Sequence, residues 1–547
     1  MTFANDAKIK PSHPSGGAFR SGHFADLFAN VGWQLREREA ADLSLLGLDI
    51  GSTGVKAVAF NLEGEMLAQA YREYPEVHGK PGWLELNAAE VWNGIVAVLN
   101  EVAEATGDDP VQSLCMSAMG ETFTPVGGGG EFLYNSIISP DSRALDEATS
   151  WRGTLGSERV FEITGMPLHP SFTLNKLMWM RRNMPDVHEQ VDKYLLWPDV
   201  VMRKLGLRPR VDYTLCGRTM AFDIRKKRWS EEMLEAAGIE MELLGEPIAS
   251  GEVVGELGSK GAEITGLPAG CLIVAGGHDQ PMNALGAGVT QAGQAVDGMG
   301  TVECVTTALD KPVLTEPMRE WNYCCYPHVV ADMYVTLGYN YTSGDLLRWY
   351  RDNFALHEST EAERNGMDVY DVILSGLPPE PTGVLVLPYL AGSGTPYLDP
   401  QASGAFLGLT LSADRKTIVK AIIEGTCYEL HLNLTRMAEG GVEIDRLRAT
   451  GGGSRSPVWL QIKADITGRE VVTLNVTESG CLAGAMLGGV AAGVYQGLQD
   501  AVDVLVEERE SCEPDWQRHE KYAELFEIYM GAWPAISNLA HELRAQE

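Results

Sequence analysis

Between residues 43 and 74 apolar positions come in three short blocks separated by turn-forming residues. Residues 43–50 are almost wholly apolar, Gly51-Ser52-Thr53-Gly54 interrupts them, 55–62 resume the run, and Glu63-Gly64 precedes a third block at 66–74. Blocks of this length bounded by glycine predict strands, and two short turns make them an antiparallel meander. The spacing then changes. Val91, Ile95, Val98, Leu99 and Val102 fall on one face of a helix that begins at Asn87, a good N-cap with Glu90 three residues on. A further apolar strand is expected at 113–119. From 165 to 256 the pattern is mostly helical, with a strand pair around Phe222. A strand at 271–275 runs into Gly276-Gly277-His278-Asp279-Gln280, and helical spacing returns from Ser412, with Ile418, Val419, Ile422 and Ile423 together. Residues 295–307 (AVDGMGTVECVTT) echo 48–60 (LDIGSTGVKAVAF), each an aspartate, a glycine turn and a β-branched strand. Two such units suggest two related α/β halves with a cleft between them.

Composition narrows the classes. The 547 residues, 45% of them hydrophobic, can bury real cores in two to four domains of roughly 100–200 residues each. The 43 Lys+Arg against 75 Asp+Glu give a net charge of −32, which opposes phosphate backbones, so no nucleic-acid partner is expected. No apolar run reaches the ~18–20 residues of a membrane span, and 481–495, rich in Gly and Ala, reads as a closely packed buried helix. Residues 1–42 form a polar extension, with a helical piece at 23–41, and lack the basic start and apolar core of a secretory signal. Nine scattered cysteines without a CxxC pair fit reduced, cytoplasmic thiols. Eleven histidines show no zinc-type spacing, so no structural metal is expected.

Three motifs could carry chemistry. In Asp49-Ile50-Gly51-Ser52-Thr53-Gly54-Val55-Lys56, glycines let backbone N–H groups approach an anion, and Ser52, Thr53 and Lys56 add donors; the same residues would also make an ordinary hairpin turn. No Gly-x-x-x-x-Gly-Lys-Ser/Thr motif is present, which excludes a P-loop. Gly127 to Gly130 read as a hairpin loop. Gly276-Gly277-His278-Asp279-Gln280 ends a strand, where α/β proteins collect ligands, and the two glycines would leave space beside Asp279. Asp279 could accept a substrate proton, and strand alternation turns His278 away from it. Thr450-Gly451-Gly452-Gly453-Ser454-Arg455-Ser456-Pro457 opens a helix at Pro457 or Val458, a place for a phosphate or a flat purine face.

These residues carry a family resemblance. Ser171-Phe172-Thr173-Leu174-Asn175-Lys176-Leu177-Met178-Trp179-Met180 fits the first signature of the FGGY carbohydrate kinases at every specified position. A second signature, Gly404, Phe406, Gly408-Leu409, Thr417-Ile418 and Ala421-Ile422-Ile423-Glu424, fits except at Thr417, where the family carries an acid, amide or histidine. With the Asp49, Asp279, Gly300-Thr301 and Gly451 to Gly453 motifs in order, the chain resembles this family from about Leu45 to Tyr522.

The resemblance implies the fold class: α/β, two ribonuclease H-like (actin-like ATPase) domains flanking a catalytic cleft. It places a domain at 43–288 for sugar, catalytic Asp and first phosphate loop, and another at 289–547 for nucleotide. It implies Asp49 as a Mg²⁺ ligand together with Asp279, Asp279 as catalytic base, and Ser52, Thr53, Lys56, Gly300 and Thr301 as phosphate-binding positions. Gly452 and Ser456 would contact adenosine, with Gly338 near the nucleotide. Gln280, Glu121, Gly120 and Asp141 would face the substrate; Glu121 could instead be a solvated loop acid, and Asp141 and Arg143 could form a structural ion pair. Gly120 stands where glycerol kinases carry Arg and close to a Met-His element of xylulose kinases, and Ser171 stands where glycerol kinases carry an aromatic residue, so glycerol is disfavoured. The expected activity is ATP-dependent phosphorylation of a primary hydroxyl on a small ketose or polyol. A homodimer is compatible with the family, and the alternative is a non-catalytic nucleotide or sugar sensor on the same scaffold.

Overall fold

The computed structural model describes residues 43–546; the extension and its helical piece at 23–41 lie outside the described residues. β1 (Ser44–Ile50), β2 (Gly54–Phe60) and β3 (Met66–Glu73) form the expected meander, with Asp49 opposite Lys56. α1 (Ala88–Ala105) starts at Asn87, whose side chain accepts from the Ala89 and Glu90 amides, and it buries all five residues of the apolar face. β4 (Val111–Ala118) runs parallel to β1. β5 (Val253–Glu256) is antiparallel to β6 (Leu272–His278), which is parallel to β4, completing a sheet of order β5-β6-β4-β1-β2-β3. β6 runs through both glycines, and α2 (Asp279–Gly286) begins at the aspartate. The glycines therefore serve packing rather than space beside Asp279. A Cβ on Gly276 would sit 1.9 Å from the Met116 carbonyl oxygen, and the register shifts between Val274 and Gly277.

The second sheet repeats the first. β7 (Gln294–Met299) pairs antiparallel with β8 (Glu303–Leu309), β9 (Tyr326–Pro327) flanks β10 (Tyr334–Asn340), and β10 pairs antiparallel with β8. α3 (Arg415–Glu439) follows, starting at the N-cap Asp414 rather than at Ser412. Thr417, the residue that departs from the second signature, donates its hydroxyl to Asp414 at 2.8 Å, so it strengthens this cap. β11 (Arg446–Thr450), α4 (Pro457–Thr467), β12 (Glu470–Leu474), α5 (Ser479–Ala491), β13 (Glu508–Cys512) and α6 (Trp516–Arg544) complete the chain. The order β9-β10-β8-β7-β11-β12-β13 gives β10-β8-β7-β11-β12 the polarity of β3-β2-β1-β4-β6, each ending in an antiparallel edge strand. The sequence echo is thus a duplicated topology.

One helix crosses between the halves. α5 comes late in the chain, yet it lies on the first sheet, on the face that alternation gives to Leu45, Gly47 and Asp49. The approach depends on small residues: a Cβ on Gly47 would stand 2.1 Å from the Cys481 carbonyl oxygen. α2 packs beside α5 and also touches β7 and β8. All nine cysteines are unpaired. Among the described residues no helix is long and apolar enough to cross a membrane.

Candidate active site

The parallel strands β1, β4 and β6 point their carboxyl ends to one place, where ligands of α/β sheets gather. Asp49, near the end of β1, accepts a 2.7 Å hydrogen bond from Ser117 on β4 and lies beside Gly480 at the start of α5. Burial pushes its carboxyl pKa above the usual value, against the Ser117 hydrogen bond and the charge of Lys56. Ser52 is half-buried and Thr53 exposed on the adjoining turn. Lys56 bonds Glu478 at 2.9 Å, tying the first hairpin to the segment before α5.

Asp279 begins α2 directly after β6. Burial raises its pKa to about 7, the charges of Asp49 and Glu121 add to that, and Arg218 opposes them. Its Oδ1 has no hydrogen-bond partner. The expectation for His278 is corrected here: its Nε2 lies 3.1 Å from Asp279 Oδ1, off the line of a hydrogen bond. Alternation fails because the strand ends at His278 and the helix turns Asp279 back beside it. The imidazole Nδ1 pairs with the Tyr326 hydroxyl at 2.9 Å, and burial holds its pKa well below the usual value, so the ring is neutral and poorly suited as a base. Gln280 is half-buried next in the helix, and its amide hydrogen bond lowers the Asp279 pKa.

Glu121 follows β4 with φ 55°, a left-handed conformation rare outside glycine. It is buried, not solvated, and its Oε1 accepts from Arg218 Nε at 2.6 Å. Gly120 offers no side chain, and a Cβ there would lie 2.7 Å from His278 Nε2. Asp141 forms the ion pair with Arg143. It is 1% exposed, and its oxygens accept from the Leu84 amide at 2.6 Å and from Arg143 at 2.7 and 2.8 Å. Arg143 also pairs with Glu85 at 2.7 Å and lies against the rings of Trp83 and Trp179, 4.0 and 5.0 Å from their centres. Ser171, in the first signature, shares a 2.8 Å hydrogen bond with His169. Lys176, in the same signature, is fully buried and donates to the Ile138 carbonyl at 2.7 Å.

The second half supplies another loop pair. Gly300 and Thr301 lie exposed on the turn between β7 and β8, braced by amides of Gly344 (3.0 Å) and Ser343 (3.1 Å). The glycine loop before α4 packs against Met299, a neighbour of Gly300, and Gly452 has open space where a side chain would be. Ser456 caps α4 by accepting from the Trp459 amide at 3.3 Å. Gly338 departs from its expected place. It is buried within β10, where a Cβ would meet Asn433 at 2.7 Å and Met437 at 2.8 Å, so its small size admits α3 and presents no surface to a ligand.

Residues 44–286 match the N-terminal domain of the FGGY family of carbohydrate kinases, and residues 298–492 match its C-terminal domain. The chain belongs to this family. It is an FGGY carbohydrate kinase, with the two actin-like ATPase domains of that fold, and it transfers phosphate from ATP to a hydroxyl of a small sugar or polyol. Its relatives include a gluconokinase of Bacillus subtilis (28% identical over 501 residues, 90% of this chain and 96% of the other). A xylulose kinase of the same organism is 25% identical over 503 residues, 92% and 99% of the two chains. The solved xylulose kinase of Rhodospirillum rubrum superimposes with a TM-score of 0.82 at 26% identity, covering 91% of the FGGY kinase and 100% of that chain. A Plasmodium falciparum glycerol kinase with ADP shares the fold at a TM-score of 0.80, 19% identity and coverage of 89% and 98%.

Sequence reasoning passed over Ser117, Arg218, Glu478 and Lys463. Ser117 was visible only as one residue of a strand, yet parallel pairing sets it opposite Asp49. Lys463, on α4, is buried against Asp297 and Glu303, on the strands that flank the Gly300–Thr301 turn, and its position within an apolar helix was the available signal.

Proposed function

We propose that this kinase phosphorylates a primary hydroxyl of a ketose or polyol, with Asp279 as the general base. The observation that carries the reading is Asp279 itself, a carboxylate at the end of β6 with a pKa near 7 and an oxygen free of partners. Asp279 accepts the hydroxyl proton as that oxygen attacks the γ-phosphorus in line. Glu121 and Arg218 hold neighbouring hydroxyls. Ser52, Thr53, Lys56, Gly300 and Thr301 approach the phosphates, while Gly452 and Ser456 border the adenosine. In this reading residues 43–288 carry sugar and base, and 289–547 carry nucleotide.

Mg²⁺ fits the residues present. Among the described residues no group of three or more His, Cys, Asp or Glu could cage a metal. Two half-buried carboxylates, Asp49 and Asp279, with an unpartnered oxygen on the latter, suit an ion that takes one or two carboxylates and completes its shell with phosphate and water. Bound there, it would neutralise charge on the phosphates.

The test is ADP release by the wild-type enzyme against a ketose and polyol panel, repeated with Asp279→Asn. That variant should lose at least ~10²-fold in turnover while still binding ATP. Near-normal turnover would remove Asp279 from the role.

A further inference from the structure

The relatives divide over the charge of the substrate. A gluconokinase name points to an aldonate with a carboxylate, and a xylulose kinase name to an uncharged ketose. The surroundings of Asp279 bear on that choice through one side chain outside every motif. Arg218 ends the short helix Tyr213–Arg218, and its guanidinium lies between the rings of Phe172 and Tyr326, at 5.3 and 5.1 Å. Both its Nε and its Nη2 engage Glu121 Oε1. The two side chains are only 13% and 3% exposed. The remaining arm, Nη1, meets only sulfur, Cys324 Sγ at 3.3 Å and Met166 Sδ at 3.8 Å, which are weak acceptors that leave donor capacity unused.

The position that could have supplied such a donor is closed. A side chain at Gly120 would strike His278 at 2.7 Å, and Arg218 Cγ stands 3.5 Å from the same point. The arginine therefore reaches, from another element, the region that residue 120 cannot fill. Its charge arrives already matched by Glu121. Asp279, close enough to feel its charge, is acidic and has Asp49 beside it; His278 and His169 are held neutral by burial, and the nearby Lys176 amine is turned to the Ile138 carbonyl.

Building on the kinase reading above, we propose that the Glu121–Arg218 pair makes this enzyme select a neutral polyhydroxylated substrate over an aldonate, with Arg218 as the specificity-determining hydroxyl donor. A hydroxyl satisfies both partners at once, donating to the carboxylate and accepting from the guanidinium. A substrate carboxylate would compete with Glu121 for a single cation, beside two further acids. That is a like-charge juxtaposition, which discriminates strongly when desolvated.

The experiment measures kcat/KM by ADP release for the full-length enzyme on uncharged ketoses and polyols and on aldonates of matching carbon number, in the wild type, Glu121→Gln, Arg218→Met and Arg218→Lys. The best neutral substrate should exceed the best aldonate at least about 100-fold in the wild type. Glu121→Gln should narrow that ratio by about tenfold or more, because it frees Arg218 for a carboxylate. Arg218→Met should lose about tenfold or more on the neutral substrate, and Arg218→Lys should restore part of the loss. An aldonate preferred by the wild type, or a ratio unmoved by Glu121→Gln, overturns the proposal and leaves the kinase reading standing. Absence of ADP release with either class overturns that reading and this one with it. If the variants fail to fold, as a titration with a fluorescent ATP analogue would reveal, the wild-type ratio decides alone.

Discussion

Lys463 offers the sharpest test of how the second half is held together. Its ammonium, on α4, lies between Asp297 on β7 and Glu303 on β8, 2.5 Å from the latter, and the three side chains are 0%, 0% and 4% exposed. Asp297 Oδ1 and Glu303 Oε2 have no hydrogen-bond partner, so the lysine is the main compensation for both acids. Burial pushes the Asp297 carboxyl pKa up, against the lysine's attraction. Burial also opposes the ammonium, but the two carboxylates outweigh it and hold the Lys463 pKa above the usual lysine value. Lys463→Met keeps the buried stem and removes the charge, so one more carboxyl must take a proton in the folded state. From an ordinary glutamate pKa near 4.3, that costs about 1.36 kcal/mol per pH unit, or about 4 kcal/mol at pH 7 and about 1 kcal/mol at pH 5. Breaking a buried pair is worth a similar ~3–5 kcal/mol. The sign follows from proton binding. The variant's folded carboxyl pKa is raised, its folded state holds a proton the unfolded chain lacks, and relative stability falls as pH rises from about 4 towards that raised value. Urea unfolding of wild type and variant at pH 5 and pH 7 should therefore show a deficit several times larger at pH 7. Adding Asp297→Asn and Glu303→Gln should recover most of it. A deficit under about 1 kcal/mol at pH 7, or one equal at both pH values, would refute the reasoning.

Three other perturbations separate roles the site has joined. Asp141→Asn should cost about 3 kcal/mol of stability by unbalancing Arg143, with the sugar KM changing less than twofold; a KM rise of tenfold would return Asp141 to the substrate. Lys56→Met should raise the KM for ATP about tenfold, the scale of a charged hydrogen bond, and leave the melting temperature nearly unchanged because its pair with Glu478 is a third exposed. An unaltered KM would take Lys56 out of phosphate binding. Gly47→Ala should destabilise the fold by about 3 kcal/mol or more, visible as an earlier thermal transition, since its new methyl meets the Cys481 backbone rather than a side chain that could swing aside.

Local signals in the sequence are what the structure reproduces most closely. The meander, the Asn87 cap and the apolar face of α1 each rest on residues within one turn or one strand of each other. The repeat was legible because the aspartate and glycine turn recur, and the family resemblance turned that echo into an expectation of two related halves. Misreadings share a different cause. His278 was assigned by strand alternation, which stops where α2 begins, and the glycines before it answer to the Met116 backbone on a neighbouring strand. Gly338 resembled a nucleotide contact in linear order, whereas Asn433 and Met437 on α3 claim its surface. Arg218 and Glu121 stand 97 positions apart, and Lys463 and Asp297 stand 166 apart; no periodicity or motif connects them. Charged pairs of that kind become visible only when the sheets bring them together.

The same pairs alter what the net charge of −32 means for ATP, itself a polyanion. Three cations around the cleft pair with acids: Lys56 with Glu478, Arg218 with Glu121, and Lys463 with Asp297 and Glu303. Arg455, in the glycine loop before α4, is exposed and has no acid partner among the described residues. On the proposed reading the attraction comes from Lys56, which still faces the phosphates beside Glu478, from the backbone N–H donors of the Gly51–Gly54 and Gly300–Thr301 turns, and from a divalent ion on Asp49 and Asp279. Those two turns belong to different halves, and α5 and α2 cross between the sheets that carry them. Phosphate held by both turns would favour whatever arrangement brings them together, so on this reading nucleotide binding and closure of the cleft are one event, with the acidic surface keeping other polyanions away.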